Sequence, residues 1–336
     1  MVDFTPVKVF YEADTYKYAL GKELLAKYRE QGVETVEIAS HNNIPELRAE
    51  PNEAFARLKK YLVLGVRKSL RFIPNEKTSD YLVPYTSSGC PAMCLYCYLV
   101  CNYFQCAYLR VFVNREQMMD KIIRTAQQSP KELVFEIGSN SDLVMENTVT
   151  GNLSWTIERF KNCRNGILTF PTKFHMVDEF LNLPHRGRVT VRMSVNPEYV
   201  VKHIEFGTSS LEKRIEALQK LHEAGYAVGL LIAPVVLLDG WEKMYEELLR
   251  HLADALPPDL KRGLKIEVIL MTYGPTHKAI NEAAFPGAVS LYDPQIMKPG
   301  GMRKYRYAKD TAEAAKDFLY GRITQVLSES EIAYIC

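Results

Sequence analysis

From position 81 onward the chain alternates short apolar runs with stretches of helical periodicity. The runs are Tyr81–Tyr85, Leu133–Ile137, Gly166–Phe170, Val189–Val195, Ala227–Pro234 and Leu264–Met271, each five to eight residues long and rich in β-branched and aromatic residues. That length and composition read as buried strands. Between them lie amphipathic stretches at 114–128, 154–163, 210–224 and 240–256, with Asn114 and Ser210 as N-cap candidates and Gly225 as a C-terminal stop. Such alternation demands parallel strands joined by right-handed crossovers, so the expected fold is α/β, an incomplete parallel (β/α)6 barrel. In barrels of this kind chemistry gathers at the carboxyl ends of the strands.

Outside the barrel the pattern changes. Residues 1–75 read as a separate α/β layer, helical over 14–31 and strand-like at Val33–Ala39 and Leu62–Arg67. The barrel is then expected over 76–285, its last helix at 279–284, with 286–336 forming a basic hairpin and a closing helix. In the hairpin, Pro299-Gly300-Gly301 signals a tight turn flanked by Lys298, Arg303, Lys304, Tyr305 and Arg306. Basic residues interleaved with aromatics fit nucleic-acid contact as readily as a solvated sheet edge.

Composition narrows the class. Forty-two Lys+Arg against forty Asp+Glu leave a net charge of +2, so no global field drives binding to nucleic acid. With 47% hydrophobic residues in 336, a large core needs no disulfide framework, and seven cysteines is an odd number. The start Met1-Val-Asp-Phe-Thr-Pro6 carries an acid and no apolar segment, unlike a signal peptide. The most apolar stretch, 225–238, contains Pro234 and reads as a buried strand, not a membrane span. A soluble, monomeric, cytoplasmic enzyme is expected, with no membrane partner.

Two constellations carry chemistry. Cys90, Cys94 and Cys97 form a C-x3-C-x2-C cluster directly after the first strand-like run. Three thiolates at that spacing suit a cuboidal iron-sulfur cluster with one iron left open. The rival is a structural zinc site completed by Cys101 or Cys106. The second constellation is Gly138-Ser139-Asn140-Ser141-Asp142 after the second strand, joined by Lys173 and Ser194 at the ends of the third and fourth. Asp142 can pair with an ammonium and Lys173 with a carboxylate, as a zwitterionic ligand requires. Each residue alone is more often a cap or turn former; their recurrence at successive strand ends makes the set informative.

The cysteine triplet with Tyr96 before its last member resembles the radical S-adenosylmethionine superfamily. Added to Tyr98, Phe135-Glu136, Ser141-Asp142, Thr172-Lys173-Phe174, Ser194, Phe206-Gly207-Thr208-Ser209, Lys213-Arg214-Ile215-Glu216-Ala217, Ala224-Gly225-Tyr226 and Ala233-Pro234, it resembles the spore photoproduct lyase family from about Ser40 to Tyr307. That resemblance implies a [4Fe-4S] cluster on Cys90, Cys94 and Cys97. It implies an S-adenosylmethionine pocket lined by Tyr98, Ser141, Asp142, Lys173, Ser194 and Ala233, and a hydrogen relay through Tyr96 and Tyr98. It further implies a reducing partner such as a flavodoxin or ferredoxin. The implied substrate is DNA carrying 5-thyminyl-5,6-dihydrothymine, contacted near Lys298, Arg303, Lys304 and Tyr305.

Two departures stand out. Where the well-known members place a hydrogen-donating cysteine, this chain has Ser139, whose O–H bond is too strong for easy donation to a carbon radical. Either the position is an altered one or the donor lies elsewhere, with Cys101, Cys106 or a tyrosine as candidates. The sixth strand's end, polar and basic in the best-known members, reads Leu270-Met271-Thr272-Tyr273 here. The alternatives are therefore a paralogue acting on another lesion or a non-nucleic substrate, a non-catalytic iron-sulfur electron carrier, and a nucleic-acid-binding module without catalysis.

Overall fold

The computed structural model describes residues 4–102, 108–301 and 304–336. Its centre is a curled, open parallel sheet, the expected half-barrel. Strands Tyr81–Leu82, Leu133–Glu136, Gly166–Thr172, Val189–Val195, Ala227–Val235 and Lys265–Leu270 lie side by side in chain order, each parallel to the next. They are the six runs read from the sequence, and they are called the first to sixth barrel strands below. Most of their Val, Ile, Leu, Met and Phe side chains are buried, with Phe135, Phe170, Val191, Met193 and Ile232 at zero exposure, as two-sided covering of a parallel sheet requires.

A seventh barrel strand, Glu331–Ile335, adds parallel to the sixth, and Ile73–Pro74 pairs antiparallel with the first. The sequence reading did not include the seventh, a short strand at the sheet edge that is only half-buried. Helices Arg115–Gln128, Asn152–Phe160, Leu211–Glu223, Trp241–Ala255 and Lys309–Val326 occupy the crossovers and the closing position. Asn114 and Ser210 do stand at N-cap positions, yet neither caps through its side chain. Asn114 instead clamps the backbone of Arg67, accepting from its N–H at 2.9 Å and donating to its C=O at 3.0 Å. Gly225 stops its helix at φ 82°, a conformation that favours glycine.

The amino-terminal layer is a second sheet, ordered Glu34–Ile38, Lys8–Glu12, Tyr61–Gly65, Leu109–Phe112, Ser87–Ser88. Strands were expected at Val33–Ala39 and Leu62–Arg67 and are found at Glu34–Ile38 and Tyr61–Gly65; Lys8–Glu12 and Leu109–Phe112 complete the layer. The basic hairpin is present as Met297–Pro299 paired with Tyr305–Tyr307, which joins Thr272–Tyr273 beyond the sixth barrel strand. Its Arg303 lies outside the described residues, as does Cys106.

Between the two sheets runs the cysteine segment. Met93–Cys94 pairs antiparallel with Glu205–Phe206, and Gly89 bridges to Ser141. The Glu205 carboxylate fixes this arrangement. It is fully buried against the equally buried Arg214, whose Nη2 donates at 2.6 Å. It also accepts from Asn196 Nδ2 at 2.8 Å and from the Tyr96 hydroxyl, with Lys173 Nζ 3.3 Å away. Burial alone pushes this carboxyl up; the charges of Arg214 and Lys173 and the bonds from Tyr96 and Asn196 outweigh it and hold the group at about 2, below its ordinary 4.5.

A carboxylate stabilised in this way contributes fully above pH 4.5, and its contribution fades as pH falls toward about 2. Glu205→Gln leaves two buried cations short of their partner and is expected to cost about 3 to 5 kcal/mol at neutral pH. In urea unfolding followed by circular dichroism, the gap between variant and parent should shrink as pH drops below 4.5. A gap that stays constant down to pH 3 contradicts the ionised state of Glu205.

Candidate active site

At the carboxyl ends of the barrel strands lies a cavity of about 530 Å³, within the range that holds small-molecule ligands. It gathers the residues expected from sequence. Cys90, Cys94, Cys97, Tyr96, Tyr98, Ser139, Ser141, Asp142, Lys173, Ser194 and Ala233 all line it. Of the hairpin residues, Lys298, Lys304 and Tyr305 stand outside its walls. Tyr305 packs on Tyr292 at a ring distance of 4.5 Å, and Lys298 Nζ donates to the Pro294 carbonyl at 3.3 Å.

The cysteine segment reaches the cavity because both its ends are tied, by Ser87–Ser88 to the amino-terminal sheet and by Met93–Cys94 to Glu205–Phe206. Lys59, 2% exposed, donates to the Cys90 carbonyl at 2.7 Å. Burial pushes the Cys90 thiol up to about 12 and raises the Cys94 thiol well above its ordinary value. A positively charged metal centre is what offsets that cost and draws out the thiolates. Among the described residues no three His, Cys, Asp or Glu converge tightly enough to hold a single metal ion. The fourth thiol considered for zinc, Cys101, turns to His277, 3.7 Å from its ring nitrogens. Three soft donors around one cavity are a donor set that fits an iron-sulfur cluster.

The polar rim is closely specified. Asp142 caps helix Leu143–Thr150, accepting from Met145 N–H at 3.2 Å. It also accepts from Thr172 Oγ1 at 2.8 Å and Lys173 N–H at 2.9 Å. Burial raises its pKa, against these bonds and the Lys173 charge. So Asp142 is both cap and cavity wall. Ser141 accepts from Ser87 at 2.7 Å, joining the polar loop to the cysteine segment. The Lys173 ammonium donates to the Ala233 carbonyl at 2.7 Å and to the Ser194 hydroxyl, and lies 5.7 Å above the Tyr96 ring. The Tyr98 hydroxyl donates to the Ser139 backbone carbonyl, so the relay candidate meets the backbone of the position that carries serine.

Sequence reasoning missed Glu205 as the centre of this site, along with Thr172 and Lys59. Glu205 and Thr172 lie in or beside quoted motifs, Phe206–Ser209 and Thr172–Phe174, and that adjacency was the available signal. Lys59, in the Leu58-Lys59-Lys60 loop, gave none.

Comparison with known proteins agrees over the whole length. The sequence profile of the spore photoproduct lyase family matches residues 4–336. The chain is 34% identical over 337 residues to spore photoproduct lyase of Bacillus subtilis (strain 168), covering 98% of each. It is 30% identical to that of Clostridium acetobutylicum, again over 98% of each. Among solved structures, a spore photoproduct lyase complexed with dinucleoside spore photoproduct superposes with a TM-score of 0.91 at 31% identity, covering 99% of both chains. A doubly substituted spore photoproduct lyase with bound AdoMet and dinucleoside spore photoproduct matches equally, with a TM-score of 0.91. With its half-barrel, its cysteine triplet on the cavity and this full-length likeness, the chain belongs to the spore photoproduct lyase family.

Proposed function

We propose that this chain is a radical S-adenosylmethionine lyase that reverses 5-thyminyl-5,6-dihydrothymine in DNA to two thymines. The observation that carries the reading is the convergence of the three thiols, Ser141, Asp142, Lys173, Ser194 and Ala233 on one cavity in a chain of this family. A relative solved with the dinucleoside lesion supports the substrate; one solved with AdoMet supports the cofactor.

Cys90, Cys94 and Cys97 would hold a [4Fe-4S] cluster, which would supply the electron for reductive cleavage of the S-adenosylmethionine sulfonium. Lys173 presents a cation to the cofactor's carboxylate, held in place by Ser194, the Ala233 carbonyl and Glu205. Asp142 fixes the loop that carries Ser139 and Ser141, because its oxygens bind Thr172 and the Lys173 amide across two strand ends. Tyr96 and Tyr98 keep their phenolic hydrogens on defined acceptors, Glu205 and the Ser139 carbonyl, which orients both rings for a relay. The hairpin residues Lys298, Lys304 and Tyr305 supply charge and an aromatic face for DNA beside the cavity. A flavodoxin- or ferredoxin-type donor, a monomeric state and the reducing cytoplasm complete the reading. Among the described residues no helix is long and apolar enough to cross a membrane.

Anaerobically reconstituted protein given dithionite, S-adenosylmethionine and dinucleoside spore photoproduct should form 5'-deoxyadenosine and two thymidines. Cys94→Ala should lose both products together with iron and visible absorption; an iron-free parent enzyme that still repairs contradicts the reading. Lys173→Met should weaken S-adenosylmethionine binding by about tenfold or more, an effect of about 1.4 kcal/mol, read by equilibrium binding. Replacing Lys298 and Lys304 together by Ala should weaken duplex DNA binding and lower the salt slope by about 1 per lysine, while the dinucleoside is repaired as before. An unchanged slope removes the hairpin from the DNA interface.

A further inference from the structure

Reversal of the dimer moves one hydrogen. The radical removes it from one ring, the bond between the bases breaks, and the thymine methylene radical left behind must receive a hydrogen atom. A thiol is the side chain suited to give one, since its S–H bond is weaker than the C–H bond formed. Cys90, Cys94 and Cys97 are committed to metal. Of the other described thiols, Cys163 is buried beside Gly166, at the amino end of the third barrel strand and far from the strands' carboxyl ends. Cys101 turns to His277. The remaining one is Cys336.

Its position follows from strand register. The seventh barrel strand pairs Tyr334 with Glu267 and Ile335 with Val268. One step further, Cys336 N–H donates to the Val268 carbonyl at 3.0 Å and its carbonyl accepts from Leu270 N–H at 2.7 Å, which sets Cys336 opposite Ile269. Side chains alternate along a strand, so Cys336 shares the face of Tyr334, one pleat nearer the catalytic rim. Tyr334, Glu267 and Ile269 all line the cavity; Val268, on the other face, is buried in the core. A second contact agrees from across the opening. Lys77, also a cavity residue, places its Nζ 3.1 Å from the Cys336 sulfur.

We propose that Cys336 is the hydrogen-atom donor that closes the repair reaction in this chain, with Lys77 holding its sulfur at the rim. The proposal rests on the repair activity above. In the step, the Cys336 S–H bond breaks and a C–H bond forms at the thymine methylene radical, giving the methyl group and a thiyl radical. One electron from the low-potential reductant that feeds the cluster, and one proton delivered through the Lys77 ammonium from solvent, return the thiyl to thiol. Serine at 139 then needs no part in the transfer.

The test uses reconstituted holoenzyme, dinucleoside spore photoproduct, S-adenosylmethionine and dithionite in deuterated water, with Cys336→Ala and Cys336→Ser beside the parent chain. Readouts are thymidine formed per 5'-deoxyadenosine and deuterium in the thymidine methyl group. The parent should give repaired product carrying one methyl deuterium, because the thiol exchanges with solvent. Both variants should still cleave the cofactor, which also reports their folding, while thymidine per 5'-deoxyadenosine falls about tenfold. Serine preserves a hydrogen-bonding partner for Lys77, so a merely structural role predicts that Cys336→Ser behaves as the parent. Parent-like ratio and deuterium content in either variant overturns the proposal. A parent chain that cleaves S-adenosylmethionine but yields no thymidine overturns the functional reading itself, and this inference with it.

Discussion

The Glu205 carboxylate is the constraint on which the site depends. It sits at zero side-chain exposure between Arg214 and Lys173, and it joins several parts of the site. Its backbone pairs with the cysteine segment, its side chain receives the Tyr96 phenol, and it holds the lysine that faces the cofactor end of the cavity. A buried carboxylate is costly unless its partners are all in place. Here Arg214 also donates to the carbonyls of Ser194 and Ser209, so one guanidinium joins the fourth strand's end to the loop that follows it. The cysteine segment, Lys173 and Tyr96 are thus set by a single polar network, not by independent packing of each loop.

The amino-terminal sheet contributes by suspension. Ser87–Ser88 pairs with Leu109–Phe112 before the chain turns to Cys90, and Lys59 holds the Cys90 carbonyl from the same layer. The cysteine segment is consequently stretched between two sheets. Ser87 also binds Glu146 at 3.2 Å and Ser141 at 2.7 Å, linking the layer to the second strand's polar loop. Such a cradle restricts the segment that carries the three thiols, which lowers the conformational entropy a ligand would have to remove.

Much of this was legible in the sequence because the signals are local. Strands such as Val189–Val195 are covered on both faces and so read as continuous apolar runs, and Gly225 marks a left-handed stop. The cysteine triplet announces itself by spacing and ligand softness. What stayed hidden depends on tertiary placement. Glu205 lies in a two-residue strand between a short helix and a turn, and its meaning comes from Arg214 and Tyr96, each far enough away in sequence to give no pattern. The seventh barrel strand is a short, half-buried edge strand, so Cys336 looked like a stray thiol until the register set it beside the cavity wall. Asp142 shows a third case: the cap and the cavity residue, weighed as alternatives, are one and the same side chain.

The central claim is that a cluster held by Cys90, Cys94 and Cys97 keeps one metal position free for S-adenosylmethionine in this cavity. Magnetic-resonance spectroscopy of the reduced, reconstituted protein with S-adenosylmethionine labelled with nitrogen-15 at its amino group tests it most directly. The account predicts a hyperfine coupling between that nitrogen and the cluster, lost when the cofactor is omitted. A reduced cluster that shows no coupling to bound, labelled cofactor contradicts it.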